Sequence, residues 1–213
     1  MAELQLALDG DLAAGLGILD CARPYIDIVE VGTPLVIREG MHAVRRIRAD
    51  HPELTLVADL KIMDAGELEA HIAFDAGADR VTVMALAGDA TIRGALIAAQ
   101  SRGKRVMVDM MGAADPVARA HELVRLGCDM LCLHTSHEVQ SSQGSTTSQL
   151  ARLRAALPAA DLAIAGGLRL PALDQILPLE PQIIIVGSAI TGAADPGRAA
   201  QQFQQRMRAY GNA

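Results

Sequence analysis

Short apolar runs alternate with amphipathic segments along the chain. Runs rich in Val, Ile and Leu predict eight strands, at residues 4–8, 25–31, 54–60, 80–86, 105–111, 130–134, 162–165 and 183–186. The remaining segments have helical spacing of apolar positions, which predicts helices at residues 11–23, 38–50, 66–77, 89–102, 115–127, 147–157, 171–178 and 194–209. Strands that alternate with helices pair in parallel, because each connection crosses back over the sheet.

Eight strand–helix units over 213 residues predict an α/β protein, a single compact (β/α)8 TIM barrel with one domain over residues 1–213. A doubly wound open sheet is the alternative architecture. That fold favours a glycine-rich phosphate-binding turn after the first strand. Here the turn reads Leu8-Asp9-Gly10-Asp11-Leu12 and lacks this fingerprint, so the barrel is favoured.

The composition of the chain argues against nucleic-acid and membrane partners. Hydrophobic residues make up 51% of the chain and charged residues 21%, which is typical of a globular protein with a large core. A net charge of −6 and only four Phe and Tyr residues argue against a nucleic-acid partner. No apolar run approaches the roughly 18 residues that span a bilayer, and no signal peptide is evident. We therefore expect a cytoplasmic protein with no membrane partner.

The chain has three cysteines, Cys21, Cys128 and Cys132. An odd number favours reduced thiols over disulfides. No further cysteine or compact histidine cluster completes a zinc site. We expect all three to be small buried hydrophobic residues.

The segment Asp59-Leu60-Lys61-Ile62-Met63-Asp64 ends the third predicted strand. Side chains alternate along a strand, so Asp59 and Lys61 are expected to project from the same face. Charges on the inner face of a barrel strand are costly unless they pair with each other, a metal or a substrate. A structural Asp–Lys ion pair is the simpler interpretation, but other strand ends carry similar groups.

Four more strands end in an ionisable residue, namely Asp9, Glu30, Asp109 and His134. Catalytic groups of barrel enzymes come from these strand ends and the loops after them. Asp9 could instead serve as a structural turn residue or a helix N-cap, because Asp is favoured in both places. Together, five strands of eight deliver an ionisable group to one rim, which indicates a single polar site.

The residue types limit the chemistry of that site. Glu30 and Asp59 could supply oxygen ligands to a hard divalent cation, which can stabilise an enediolate as a Lewis acid. Lys61 adds positive charge where an anionic oxygen develops. His134 is suited to proton transfer near neutral pH, and Asp109 could orient it, a water or a hydroxyl.

Glycines at the last two strand ends predict a phosphate site. Gly166 and Gly167 follow the seventh strand, and Gly187 and Ser188 follow the eighth. Backbone N–H groups can approach an oxyanion there, and a following helix could add its dipole. The polar loop 140–148 after the sixth strand is predicted to be a lid, a phosphate-contacting loop or an idle surface loop.

These motifs together resemble the 3-hexulose-6-phosphate synthase family over residues 3 to about 200. The matching segments are residues 4–9, 29–34, 58–66, 108–110, 134–135, 165–167 and 186–191. The resemblance places the chain in the orotidine-monophosphate decarboxylase group of barrels, which share the D-x-K-x-x-D motif of Asp59, Lys61 and Asp64.

The resemblance implies a magnesium-dependent aldolase that condenses formaldehyde with ribulose 5-phosphate to 3-hexulose 6-phosphate. It implies Mg²⁺, which Mn²⁺ could replace, at Glu30 and Asp59. It further implies Lys61 on the enediolate, His134 in proton transfer and Asp109 nearby.

The same resemblance implies a dimer. Asp64 would cross to the site of the partner subunit. The backbones of Gly166, Gly167, Gly187 and Ser188 would hold the phosphate, and Asp9 would contact the substrate.

Related enzymes give the alternative functions. The 3-keto-L-gulonate-6-phosphate decarboxylases carry Glu, Arg and Arg where this chain has Asp109, His137 and Ser188, so the synthase is favoured. Orotidine-monophosphate decarboxylases continue the motif with His-Asp-Ile-Pro, where this chain has Met63-Asp64-Ala65-Gly66. Glu138 and His137 depart from the expected synthase pattern. A phosphopentose isomerase or epimerase and a non-catalytic phosphosugar-binding barrel stay open.

Overall fold

The computed structural model describes residues 1–136 and 146–211, and eight strands close into a barrel in sequence order. The strands are β1 Glu3–Leu8, β2 Ile28–Val31, β3 Thr55–Ile62, β4 Arg80–Met84, β5 Arg105–Asp109, β6 Met130–His134, β7 Asp161–Ala165 and β8 Ile183–Val186. All neighbouring strands are parallel, and β1 pairs with both β2 and β8. The predicted (β/α)8 barrel is confirmed, and the doubly wound sheet is excluded.

Helices follow the strands. They are α1 Leu12–Ala22, α2 Thr33–Glu39, α3 Met41–Asp50, α4 Gly66–Asp75, α5 Asp89–Gln100, α6 Pro116–Arg125, α7 Thr146–Ala156, α8 Leu173–Ile176, α9 Ser188–Thr191 and α10 Pro196–Gly211. Asp11 and Asp115 cap α1 and α6, because their side chains accept hydrogen bonds from backbone N–H groups of the first turn. Within residues 1–136 and 146–211, no helix is long and apolar enough to cross a membrane.

Three helical segments differ from the prediction. In place of one helix at residues 38–50, α3 covers Met41–Asp50 and the unpredicted α2 precedes it, with a break at Gly40, whose φ of 58° favours glycine. The short α9 was not predicted either. The segment 171–178 contains only the four-residue α8 between two short 3-10 turns. Pro171 and Pro178 each lie at the start of one of those turns, where a missing N–H is tolerated.

The core has two layers. Side chains inside the barrel form one cluster, which consists of Ala7, Ile28, Val57, Met107, Met130, Cys132, Ala163, Ala165, Ile183 and Ile185. A larger cluster fills the space between the strands and the helices and includes Leu6, Val29 and Leu123. Burial of Cys128 and Cys132 is confirmed, but the prediction for Cys21 is wrong, because this residue of α1 is exposed.

The pairing of β3 with β4 is irregular. The register shifts between Ala58 and Ile62, and Lys61 within this interval has a φ of 48°. A left-handed backbone is costly for a residue with a side chain, so surrounding contacts must hold it. This irregularity lies at the carboxyl end of β3, where the sequence predicts the reacting groups.

Candidate active site

A cavity of about 710 Å³ opens at the carboxyl ends of the strands, and residues from every strand end or the loop after it line it. Ten of the predicted site residues lie in its wall: Asp9, Glu30, Asp59, Lys61, Asp109, His134, Gly166, Gly167, Gly187 and Ser188. The sequence-based expectation that these strand ends form one polar site is therefore consistent with the structure.

Lys61 lies between two carboxylates. Its Nζ is 2.6 Å from Oδ2 of Asp59 and 3.3 Å from Oδ2 of Asp109. Burial alone lowers the pKa of the Lys61 ammonium, but the charges of Asp59 and Asp109 outweigh burial and raise it above its ordinary value. Lys61 is therefore a fixed positive charge at neutral pH rather than a base.

Asp59 is buried, with 6% of its surface exposed, and two threonines hold its carboxylate. Thr82 Oγ1 donates to Asp59 Oδ1 at 2.6 Å, and Thr33 Oγ1 donates to Oδ2 at 2.8 Å. Thr82 also accepts a hydrogen bond from the backbone N–H of Lys61 at 2.9 Å. Neither threonine stands out in the sequence, because Thr82 lies within β4 and Thr33 is the first residue of α2.

This Thr82 contact explains the shape of the strand end. The left-handed Lys61 directs its N–H to a side chain on β4 instead of to the strand ladder. Both Asp59 and Lys61 still line the cavity, as alternation along the strand predicts. The bulge thus places the ammonium against Asp59 and within reach of Asp109.

Asp109 and His134 form a second pair. His134 Nδ1 is 2.8 Å from Asp109 Oδ2, and the backbone N–H of Met111 donates to Asp109 Oδ1 at 2.9 Å. Burial raises the pKa of Asp109, but the hydrogen bond and charge of His134, with Lys61, hold it below its ordinary value. Asp109 orients the imidazole through Nδ1, so Nε2 is the nitrogen available for proton transfer in the cavity.

Glu30 is the least compensated carboxylate of the cavity. Only 7% of its surface is exposed, and Gln5 Nε2, which is fully buried below it, donates a hydrogen bond to Oε2. Burial and the negative charge of Asp59 raise the pKa of Glu30 to about 8. Gln5 Oε1 has no hydrogen-bond partner among the described residues. Gln5, like Thr82, is a buried polar residue whose place in the site is not evident from the sequence.

Glu30 and Asp59 are the residues of this site that could hold a hard cation. They are buried carboxylates whose mutual repulsion a divalent ion would relieve. Within the described ranges, no group of three or more His, Cys, Asp or Glu side chains is arranged to hold a metal. A cation here would therefore need oxygen ligands from substrate or water, as Mg²⁺ sites commonly do.

Asp9 lies at the exposed rim of the cavity. Partial burial of the Asp9 carboxyl group and the nearby charge of Asp59 raise the pKa of Asp9 above its ordinary value. A Cβ atom at position 32 would lie 2.0 Å from Asp9 Oδ1, so Gly32 is required for this placement. The N-cap alternative is excluded for Asp9, because Asp11 caps α1.

Asp64 does not line the cavity of its own chain. It is exposed, and its Oδ1 accepts a hydrogen bond from the N–H of Ala65 at 2.7 Å. Ala65 has a φ of 49° and turns the chain into α4. The structure therefore separates Asp64 from Asp59 and Lys61.

The loops after β7 and β8 form the cavity wall that lies across the barrel from β3 and β4. Gly166 and Gly167 have φ values of 100° and 65°, which favour glycine. A Cβ atom on Gly166 would lie 2.4 Å from the carbonyl oxygen of Thr135, so the backbones approach closely. The predicted dipole contribution after β8 has little basis, because α9 spans only Ser188–Thr191.

The loop 140–148 is only partly described. Thr146 begins α7, and its Oγ1 is 2.6 Å from Oγ1 of Thr135. His137, Glu138 and residues 140–145 lie outside the described residues.

Comparisons with known proteins agree with this site. The model of the orotidine 5'-phosphate decarboxylase / HUMPS family matches residues 2–203. A 3-hexulose-6-phosphate synthase of Bacillus subtilis is 41% identical over 95% of this chain and 97% of its own length. A crystal structure of 3-hexulose-6-phosphate synthase from Salmonella typhimurium has a TM-score of 0.95 at 39% identity and covers 98% of this chain and 99% of that chain.

A related decarboxylase is more distant. The 3-keto-L-gulonate-6-phosphate decarboxylase of Vibrio cholerae has a TM-score of 0.87 at 28% identity, and 98% of each chain is covered. The resemblance to 3-hexulose-6-phosphate synthases that the motifs predict is confirmed. The matched family model spans nearly the whole barrel and every residue of the cavity wall. The chain belongs to the orotidine 5'-phosphate decarboxylase / HUMPS family.

Proposed function

We propose that this chain is an aldehyde-lyase that condenses formaldehyde with ribulose 5-phosphate to give 3-hexulose 6-phosphate. The reaction is reversible. The names of its relatives at 41% and 39% identity support this activity. The single observation that carries the proposal is the contact chain in which Lys61 joins Asp59 to Asp109 and Asp109 joins His134. That arrangement supplies a fixed positive charge beside an oriented proton carrier.

The proton steps follow from these contacts. His134 removes a proton from C1 of the bound sugar, which forms an enediolate. The ammonium of Lys61 stabilises the negative oxygen that develops. C1 then forms a bond to the formaldehyde carbon, and the resulting alkoxide takes the proton back from His134. Asp109 keeps the ring oriented throughout, because it holds Nδ1.

We propose that Glu30 and Asp59 hold Mg²⁺, with Mn²⁺ as a substitute. A bound ion would polarise the substrate carbonyl as a Lewis acid. The fit rests on the donor set, which consists of two buried carboxylates, of which Glu30 has no cationic partner among the described residues. Equilibrium dialysis with Mg²⁺ tests this proposal independently of turnover.

We also propose a homodimer in which Asp64 acts in the site of the partner. Asp64 is exposed and lies outside its own cavity, and apolar side chains around this end of the barrel face solvent, including Met63 at 52% and Leu86 at 54% exposure. Light scattering of the purified protein tests the dimer. Mixing Lys61→Ala and Asp64→Ala subunits tests the shared site, since only a mixed dimer contains one intact site.

The cytoplasm is the expected location, because phosphorylated sugars are made there and thiols such as the exposed Cys21 remain reduced. Fractionation of cells with an antibody against the protein tests this expectation.

The activity is tested by measuring formaldehyde consumption with ribulose 5-phosphate and Mg²⁺, beside carbon dioxide release from 3-keto-L-gulonate 6-phosphate. Rapid consumption with the first substrate and slow release from the second is the expected result. Net isomerisation or epimerisation of ribulose 5-phosphate without a need for formaldehyde would indicate a phosphopentose isomerase or epimerase instead. Ligand-induced stabilisation without turnover would indicate a phosphosugar-binding barrel.

A further inference from the structure

Charge is distributed unevenly around the cavity. The carboxylates in its wall come from the ends of β1, β2, β3 and β5, and they are Asp9, Glu30, Asp59 and Asp109. The wall formed by the loops after β7 and β8 has no carboxylate among the described residues. Because the strands close in sequence order, β7 lies across the barrel from β3. Repulsion of an anionic substrate group is therefore strongest on the β3 side and weakest on the β7 side, whereas Asp9 lies close to Gly187 of the loop after β8.

Arg169 lies on the β7 side of the cavity. It follows Gly166 and Gly167 in the loop after β7, lines the cavity and is exposed. Its carbonyl oxygen accepts a hydrogen bond from the N–H of Ala172 at 2.9 Å, which anchors the backbone of the loop. The guanidinium makes no hydrogen bond or ion pair with any residue in the ranges 1–136 and 146–211.

The lysine of the cavity wall already has anionic partners, because Lys61 contacts the carboxylates of Asp59 and Asp109. The imidazole of His134 contacts Asp109. Arg169 is thus the cation of the described cavity wall that keeps its charge available for a ligand.

Backbone groups near Arg169 complete an anion site. The N–H groups of Gly166, Gly167 and Gly187 donate no hydrogen bond to another described residue. Ser188 contributes only a neutral hydroxyl, and the four-residue α9 has too few residues for a helix-terminus site. A phosphate dianion bound by amides alone would lack a countercharge, and a guanidinium supplies one with a planar pair of donors.

We infer that Arg169 is the residue that neutralises the phosphate of the substrate and thereby selects phosphorylated over unphosphorylated sugars. The inference rests on the proposed function for the identity of the sugar. The existence of an anion site at Arg169 does not depend on the proposed function.

The test compares Arg169→Ala, Arg169→Gln and Arg169→Lys with the parent protein. Isothermal titration with inorganic phosphate measures the anion site without turnover, and steady-state kinetics give KM and kcat for ribulose 5-phosphate and for D-ribulose. A charge-assisted contact to phosphate predicts that the Ala and Gln variants weaken phosphate binding and raise KM for ribulose 5-phosphate by about 10- to 100-fold. Their activity with D-ribulose should fall far less than their activity with ribulose 5-phosphate, and Lys should rescue part of the loss.

Arg208→Ala is the matched control. Arg208 is an exposed arginine of α10, away from the cavity, and its side chain has no partner in the part of the chain that the structure describes. This variant should bind phosphate as the parent does. Arg169 is exposed, so all variants should keep the parent Tm.

The outcomes separate this inference from the proposed function. Parent-like phosphate binding and KM in both Arg169→Ala and Arg169→Gln would overturn the role of Arg169, and so would a parent protein that does not bind phosphate. Weakened phosphate binding in a protein that never consumes formaldehyde would support the anion site and overturn the synthase activity instead.

Discussion

The half-buried Asp79 at one end of the barrel and the buried Glu30 at the other have opposite surroundings. At the amino ends of the strands, Asp79 accepts hydrogen bonds from Arg48, from Lys104 at 2.6 Å and from the N–H of Leu56 at 2.9 Å, and these contacts outweigh burial and lower its pKa. At the carboxyl ends, Glu30 receives one hydrogen bond from an amide and its pKa rises to about 8.

The number of donors around each carboxylate distinguishes Asp79, which stabilises the fold, from Glu30, which is available to a ligand. A carboxylate with several cationic and N–H donors, such as Asp79, is stabilised in the folded state without any ligand. A buried carboxylate without them costs stability until a ligand compensates it. The amino-terminal face thus contributes to folding, and the carboxyl-terminal cavity remains incomplete without its ligands. Substitutions at one end at a time test this difference.

The largest effect is expected for Lys61→Ala. The loss of the charge between Asp59 and Asp109 should lower kcat by about 10²–10³-fold or more, because it removes the stabilisation of the enediolate oxygen. Turnover with ribulose 5-phosphate and formaldehyde measures the loss, and circular dichroism confirms folding. A folded variant with near-parent kcat would show that Lys61 is a structural ion-pair partner only.

Glu30→Gln should weaken Mg²⁺ binding by more than the roughly 10- to 100-fold that loss of a residue supporting a metal ligand costs. Titration calorimetry with Mg²⁺ measures this change. Gln keeps the shape of Glu, so an unchanged affinity would place the cation elsewhere.

The same variant tests the pH dependence of metal-free stability. The pKa of Glu30 is raised from 4.5 to about 8, so the folded state retains a proton that the unfolded state loses as pH rises through this range. The contribution of Glu30 to the free energy of unfolding is therefore fully present below pH 4.5 and is lost as pH rises toward 8. Urea denaturation at several pH values should show a shallower decline for Glu30→Gln than for the parent.

Thr82→Val should have an intermediate effect. It removes the hydroxyl that donates to Asp59 and accepts from the Lys61 backbone, with little change in shape. We expect kcat to fall about 10-fold, the order expected for a hydrogen bond to a charged group. Thr82→Ser is the control, because it keeps the hydroxyl and should restore most of the rate. Equal rates for the Val and Ser variants would contradict this role.

Asp79→Asn should have the smallest effect on catalysis. It weakens the contacts to Arg48 and Lys104 on the amino-terminal face and should lower the free energy of unfolding by about 1–2 kcal/mol. The pKa of Asp79 is lowered on folding, so the destabilisation should shrink as pH falls through that pKa. Thermal unfolding measures it, and an altered kcat would show that the two ends are coupled.

Much of this molecule could be predicted from residue order alone. The eight strands and the polar residues at their carboxyl ends are local patterns, and the barrel brings these ends together without further information. Contacts between strands were harder to predict. Thr82 reaches Asp59 only through a register shift in β3, and Gln5 meets Glu30 only because β1 pairs with β2.

Two further features depend on tertiary surroundings. Alternation predicts the side on which Lys61 lies but not its left-handed backbone, which a bond to a neighbouring strand supports. Arg169 lies in a loop between glycines and a proline, and sequence position alone does not distinguish a cation in a cavity wall from one in solvent.

The pairing of β1 with β8 has a consequence for synthesis on the ribosome. Residues 183–186 of β8 must leave the exit tunnel before Glu3–Leu6 can find their second neighbour, so the growing chain carries a sheet with unpaired edges until β8 has emerged. Exposed edges are templates for association with other chains. A nascent chain that stalls before β8 should therefore depend on chaperones, although it already contains Glu30, Asp59, Lys61, Asp109 and His134.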